Sequence, residues 1–445
     1  MSTLPKGPLA LATLDEQLLY PGIKGVPITT PLRQGAVGVQ GWNVLDADTS
    51  FPVAVLKLSA LRHNLDWMRD FCARRGVLLA PHGKTTMCPQ LFGAQLASGA
   101  WGMTLATVPQ VQLAHRFGVR RVLLANQLVA PADINSVIDL LQGDPDFALY
   151  ALADSCAGVA RLASACAGLA QPLQLLVELG LNGKRAGCRS MDEAMDVARA
   201  IAAAPGLQLA GIEGYEGLLV SGERGDDVNA DVNAVNDFVA RLVALTEACE
   251  REGLFACDEI LLTAGGSAYF DLVARGFGQA VTRAASGRPV RAILRSGCYL
   301  TSDHGLYQGL IDELDGRLGE NQGQGLQGAL EVWSMVQSCP EPGLAILTMG
   351  KRDASSDAGL PVPLWWHRPG AAAPQPVDGA ATITKMNDQH AYLKLEPDHA
   401  MHAGLAVGDL IGCGISHPCT TFDKWPLILL VDDAYHVRQA VNTFF

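Results

Sequence analysis

Residues 173–214 read LQLLVELGLNGKRAGCRSMDEAMDVARAIAAAPGLQLAGIEG. An apolar, strand-like segment at 173–179 is followed by an amphipathic helical segment at 191–204 and a second apolar strand at 209–214, with Ser190 placed as the helix N-cap. The same alternation continues on both sides. Further strand-like runs stand at 77–80, 102–107, 121–125, 147–153, 259–264 and 290–295. Helix candidates lie between them at 109–117, 132–142, 155–169, 230–251 and 269–277, several opened by Pro109, Asp133 or Ser155. Eight strand–helix units in this order predict an α/β fold, a (β/α)8 TIM barrel.

The flanks follow another rule. Residues 53–58 form an orphan strand ahead of the barrel count, and Ser59 then caps a helix whose Leu61, Leu65, Met68 and Cys72 make one apolar stripe. Beyond Arg295 come short β-type runs at 329–337, 343–348, 381–386, 390–395, 408–412 and 427–431, separated by Gly, Pro and Asp. Three segments are expected: an N-terminal extension and strand (1–58), the barrel (59–295) and a β-rich domain (296–445). The least ordered stretches should be 315–327 and 368–380.

A chain of 445 residues, 49% hydrophobic and 18% charged, has the composition of a globular protein with more than one packed unit. Its net charge of −12 and lack of a basic run argue against nucleic-acid or anionic-membrane partners and for small molecules or copies of itself. Eleven scattered cysteines without a CxxC pair point to a reducing compartment. The first fourteen residues lack a signal-peptide pattern, and no apolar run approaches a membrane span; a cytoplasmic protein is expected.

Barrel chemistry sits at the C-terminal strand ends. The first strand ends in Pro81-His82-Gly83-Lys84-Thr85-Thr86, where a partly desolvated Lys84 would suit Schiff-base chemistry; a solvated loop lysine is the other reading. The seventh ends in Thr263-Ala264-Gly265-Gly266-Ser267 at a helix start, a cradle for a phosphate or a simple tight turn. The eighth adds Gly297 and Tyr299. Arg185, after strand five, is suited to an aromatic oxyanion, and Tyr215, after strand six, to a flat ring; both residue types also serve structure. In His417-Pro418-Cys419 an extended backbone would put imidazole and thiol on one face, two ligands for an open site holding a cation such as zinc.

Taken in order, several pieces resemble the D-threonine aldolase/D-serine dehydratase family of fold-type III pyridoxal-phosphate enzymes, relatives of alanine racemase. They are Phe51-Pro52-Val53-Ala54-Val55, Leu61…Asn64, Pro81-His82-Gly83-Lys84-Thr85, Lys184-Arg185-Ala186-Gly187-Cys188, Gly214-Tyr215-Glu216-Gly217, Gly265-Gly266-Ser267, Ser296-Gly297-Cys298-Tyr299 and His417-Pro418-Cys419. The resemblance implies a barrel that binds pyridoxal 5'-phosphate, joined to a β-barrel-like domain built from both chain ends. It implies Lys84 as the cofactor lysine and base at Cα, Arg185 at the phenolic oxygen, and Tyr215 against the ring. Thr263, Gly265, Gly266, Ser267, Gly297 and Tyr299 would hold the cofactor, and His417 and Cys419 a divalent metal, zinc in preference to manganese.

The implied activity is a lyase, and a homodimer, acting on a small-molecule D-3-hydroxy amino acid. A dehydratase (deaminase) giving a 2-oxo acid is the leading expectation, and retro-aldol cleavage to glycine and an aldehyde the alternative. An amino acid racemase or a non-catalytic cofactor carrier stands behind both. Three departures from the family pattern bear on the substrate: the long segment before Phe51, Thr301-Ser302-Asp303-His304, and the polar run Gly350–Asp357. They suggest a polar substrate such as D-3-hydroxyaspartate or D-glucosaminate.

Overall fold

The computed structural model describes residues 3–5, 7–219, 228–266, 269–281, 287–319, 325–397 and 399–445. It divides into two compact units. One comprises Arg69–Lys84 and Gly99–Gly297, the other Met1–Met68, Thr85–Ser98 and Cys298–Phe445.

The first unit contains the eight expected parallel strands: Leu78–Leu79, Met103–Leu105, Arg121–Gln127, Ala148–Ala153, Leu173–Leu179, Leu207–Gly214, Ile260–Ala264 and Val290–Leu294. Each pairs in parallel with its sequence neighbour from the second to the eighth, and the eighth pairs with the first. The first and second strands meet through a parallel bridge His82↔Thr104, supported by Thr104 N–H to Pro81 O at 2.9 Å and Trp101 N–H to Leu79 O at 2.7 Å. The sheet therefore curls into a ring. Ala80, Leu123, Leu152, Leu176, Leu261 and Ile293 pack together as its buried interior; truncating such a leucine to alanine costs about 2–5 kcal/mol.

The crossover helices start as their caps dictate. Ser190 accepts from Glu193 N–H, and the Glu193 carboxylate answers the cap backbone, a complete capping box for Met191–Ala203. Ser155 accepts from Gly158 N–H ahead of Cys156–Cys166. Asp133 does not cap: the helix begins earlier, at Pro131, and Asp133 lies in its first turn, where a carboxylate favours the helix dipole.

The second unit is built around Leu330–Glu341, which pairs antiparallel with Val53–Lys57, Leu344–Leu347 and Leu410–Gly414. The orphan strand Val53–Lys57 thus enters this sheet and pairs in parallel with Leu427–Val431 on its other edge. Residues ahead of it join the same core: Leu19, Val26, Val37 and Val44 pack with Trp333, Leu429 and Val437. Gly38 is needed there, because a Cβ would meet Arg438 O at 2.0 Å.

Four sequence expectations change. Thr85–Ser98, assigned to the barrel from sequence, groups with the second unit: Gln90 on its helix Pro89–Ala97 donates to Asn442 Oδ1 at 3.0 Å. Leu306–Leu318 is a helix inside a region read as all-β, its signal weakened by Gly309 and Gly316. That helix also takes in the start of the expected loop 315–327, of which 320–324 lie outside the described residues. The strands Val362–His367 and Val437–Asn442 were not recognised.

Candidate active site

At the mouth of the barrel the first strand continues through Pro81 and His82 into a tight turn, Gly83–Thr85. Lys84 stands on that turn and is exposed, so protein groups alone do not give the partial desolvation expected of its ammonium. The turn lies beyond the apolar strand, not within it. The His82 ring nitrogen Nδ1 is buried without a partner. Burial first, then the charges of Lys84, Arg295 and Arg185, hold its imidazole well below the usual value. Three cations therefore act on one neutral ring, a field that favours an anion. Gly297 brings the eighth-strand loop close: a Cβ there would meet His82 O at 2.4 Å.

After strand five, the Arg185 guanidinium lies 4.8 Å from the centroid of the Tyr215 ring, a cation–π contact. Its loop is held from below by Arg189, which donates to Ala186 O and Gly187 O at 2.9 Å each and to Lys184 O at 3.2 Å, and also to Arg185 O. Asp154 accepts from Gly187 N–H at 3.1 Å. Arg189, which precedes the helix cap Ser190, was not singled out from sequence.

Three carboxylates that sequence reading passed over end strands five and six. Glu178 is half-buried and bonded by Gln127, with burial raising its pKa. Glu213 is buried in an ion pair with Arg295, whose other terminal nitrogen donates to Gly214 O at 2.8 Å. Burial pushes the Glu213 carboxyl up to about 7 against the pull of Arg295. Glu216 accepts from Gly265 N–H at 3.0 Å and Gly266 N–H at 2.6 Å; burial raises its pKa, and these two bonds oppose the rise. A charged residue inside an otherwise apolar strand end, as in Ile-Glu-Gly and Val-Glu-Leu, was the available signal.

The expected cofactor contacts at Thr263, Gly265 and Gly266 have protein partners in this structure. The Gly265 and Gly266 N–H groups, expected to cradle a phosphate, donate to the Glu216 carboxylate here, and Gly265, at φ +107°, permits the turn that aims them. The Thr263 hydroxyl donates to Ile293 O at 2.9 Å and so ties two strands together. Ser267 lies outside the described residues.

This mouth fits an anionic aromatic cofactor on its own chemistry. It combines an exposed primary amine, a guanidinium 4.8 Å from the centroid of a phenol ring, and a buried imidazole nitrogen without a hydrogen-bond partner.

The remaining candidates belong to the second unit. Tyr299 is buried, and its hydroxyl accepts from Gln95 Nε2 at 3.3 Å. His417 and Cys419 do not lie on an extended segment: Pro418 is α-helical in conformation and Cys419 opens the short helix Cys419–Phe422. The same-face argument for this pair therefore fails. The His417 Nδ1 is 2.7 Å from Asp357 Oδ2, while Thr420 Oγ1 donates to Asp357 Oδ1 at 2.7 Å. Burial acts to raise the Asp357 pKa, but these bonds outweigh it and leave the carboxyl below its usual value. Asp357 thus orients the imidazole as an outer carboxylate orients a metal-binding histidine. Cys419 Sγ lies 3.6 Å from Cys298 Sγ and donates to Thr85 Oγ1 at 3.4 Å. Among the described residues no three His, Cys, Asp or Glu side chains converge as a finished metal cage. The donor types, two thiols and an oriented imidazole, nevertheless suit a soft or borderline cation.

Residues 56–276 match the alanine racemase N-terminal domain and residues 329–431 the putative serine dehydratase domain. With these two domains the chain is similar to D-threonine aldolases and hydroxyaspartate aldolases and dehydratases. Its fold is alanine racemase-like. It is 27% identical to the D-threonine aldolase of Arthrobacter sp over 84% of this chain and 86% of the relative. It is 26% identical to the 3-hydroxy-D-aspartate aldolase of Paracoccus denitrificans (strain Pd 1222) over 71% of this chain and 76% of the relative. The solved D-threo-3-hydroxyaspartate dehydratase from Delftia sp. HT23 superposes with a TM-score of 0.68 at 21% identity, covering 89% of this chain and 97% of that one. A cysteine-to-alanine variant of the latter enzyme was solved in a metal-free form.

Proposed function

We propose that this chain is a pyridoxal-phosphate- and divalent-metal-dependent lyase that eliminates water from a D-3-hydroxy amino acid, the released enamine then taking up water and losing ammonia to give a 2-oxo acid. The Arg185 guanidinium 4.8 Å from the Tyr215 ring centroid, with the exposed Lys84 amine on the turn after the first strand, supports this reading. When bound, the cofactor supplies an electron sink at the substrate Cα and the metal a Lewis acid for the β-hydroxyl.

The residues have distinct tasks. Lys84 holds the cofactor and takes the proton from the substrate Cα. Arg185, steadied over Tyr215 and by Arg189 beneath its loop, presents a fixed positive charge to an aromatic oxyanion. The buried Arg295–Glu213 pair keeps a guanidinium in place without leaving it uncompensated. Asp357 fixes the tautomer and direction of His417, which with Cys419 would bind the metal. A thiol ligand supports zinc over manganese.

Retro-aldol cleavage to glycine and an aldehyde is the second reading. It is favoured by the two aldolases that resemble most of the chain. The two chemistries share the site and differ in which bond at Cα breaks. A homodimer and a cytoplasmic location complete the proposal; eleven cysteines, none in a disulfide, support a reducing compartment. Among the described residues no helix is long and apolar enough to cross a membrane.

The test is product analysis. D-serine, D-threonine, D-3-hydroxyaspartate and D-glucosaminate are each incubated with holoenzyme, with and without EDTA. Ammonia with 2-oxo acid in equal amounts is the expected result; glycine with aldehyde and no ammonia would replace the dehydratase by the aldolase.

A further inference from the structure

Beside Cys419 the structure places a second thiol that family resemblance did not assign to the metal. Cys298 belongs to the buried turn Cys298–Leu300, which follows the eighth barrel strand in sequence, and its Sγ is 3.6 Å from Cys419 Sγ. Two thiolates on one tetrahedral zinc, each about 2.3 Å from the metal, stand about 3.8 Å apart. The observed spacing needs only a small adjustment to meet that value. Thr85 Oγ1 lies 3.4 Å from Cys419 Sγ and 3.7 Å from Cys298 Sγ, a hydroxyl placed to serve either sulfur. Cys298 is buried while Cys419 is half-buried, so the pair has one side from which an ion can enter.

We infer that Cys298 is a metal ligand together with Cys419. This rests on the metal part of the proposed function and deepens it. Among the described residues His417, directed by Asp357, does not close a three-ligand cluster with the pair, so the inference concerns the two sulfurs, whose remaining metal positions would be open to the substrate hydroxyl or water. Two sulfurs select a borderline cation such as zinc or cobalt and disfavour manganese and magnesium, which prefer oxygen ligands.

Zinc K-edge absorption spectroscopy of the zinc-loaded wild-type holoenzyme reads the sulfur count directly. Two sulfurs at about 2.3 Å are expected; one sulfur overturns the inference. The cobalt-substituted protein gives the second readout: its sulfur-to-cobalt charge-transfer band should fall by about half in Cys298→Ser. Zinc affinity, measured by competition with a chromophoric chelator, should fall more than the 10–100-fold typical of an outer-shell change. An unchanged band and affinity in Cys298→Ser overturn the inference and leave the His417–Cys419 reading standing. A wild-type protein that retains cofactor absorbance yet takes up neither metal overturns both. Because the sulfur count is read on the wild type, it does not depend on how the variant folds.

Discussion

Lys84 and His82 stand two positions apart and play opposite parts. The lysine is exposed on its turn and available to a ligand; the histidine is half-buried with its Nδ1 enclosed, and burial first, then nearby positive charge, holds its pKa well below the usual value. Lys84→Ala should abolish the visible absorbance of bound cofactor and lower turnover by at least the 10²–10⁴-fold that a positioned base contributes. Absorption spectra and steady-state rates check it. At the metal, Asp357→Asn removes the partner that directs His417, so zinc affinity should fall about 10–100-fold while cofactor binding persists. Chelator competition measures this. The sequence marked Lys84, Arg185, Tyr215, His417 and Cys419, since each falls in a short motif. Glu213, Glu216, Arg189 and Arg295 were harder to see, because their importance comes from burial and from partners distant in the chain. Gly265 and Gly266 illustrate the limit: their pattern shows that backbone donors point outward, but the carboxylate they meet is 49 and 50 residues away.

At the level of elements, the eight barrel strands were legible because each is a short apolar run bounded by turn residues, a pattern that survives without knowledge of the rest of the chain. Val362–His367 was not, since only one of its residues is buried and Pro363 reads as a breaker. Pairing with Leu410–Gly414 makes it a strand. Helix Met191–Ala203 depends on its capping box. Ser190→Ala should therefore lower stability by about 1 kcal/mol, with kcat unchanged, as thermal unfolding and rate assays would show. The loop after strand eight is less tolerant. In Gly297→Ala the new methyl would stand 2.4 Å from a backbone carbonyl, that of His82, so one of the two segments must shift. Overpacking of this kind costs about 1–3 kcal/mol, and displacement of His82 should weaken cofactor affinity in parallel.

For the molecule as a whole, the chain ends fold back into one β-rich unit while the middle closes into a barrel. Composition and periodicity indicated the two parts, but the long-range register that brings Val53–Lys57 beside Leu330–Glu341 and Leu427–Val431 is invisible in any local window. Acid should strain the β-rich unit. Burial, with a smaller contribution from Lys57, lowers the His304 pKa to about 4, whereas an unfolded chain protonates histidine near 6.5. The unfolded state therefore takes up a proton first, and stability is lost as pH falls from about 6.5 toward 4, by up to about 3 kcal/mol from this group. His304→Gln should flatten that part of the pH–stability profile measured by denaturant unfolding. One assay reads the proposed chemistry itself. Purified holoenzyme given D-3-hydroxyaspartate should release ammonia and 2-oxo acid in equal amounts, with the rate abolished by EDTA and restored by zinc. Undiminished turnover in EDTA, or glycine and aldehyde as the only products, would contradict it.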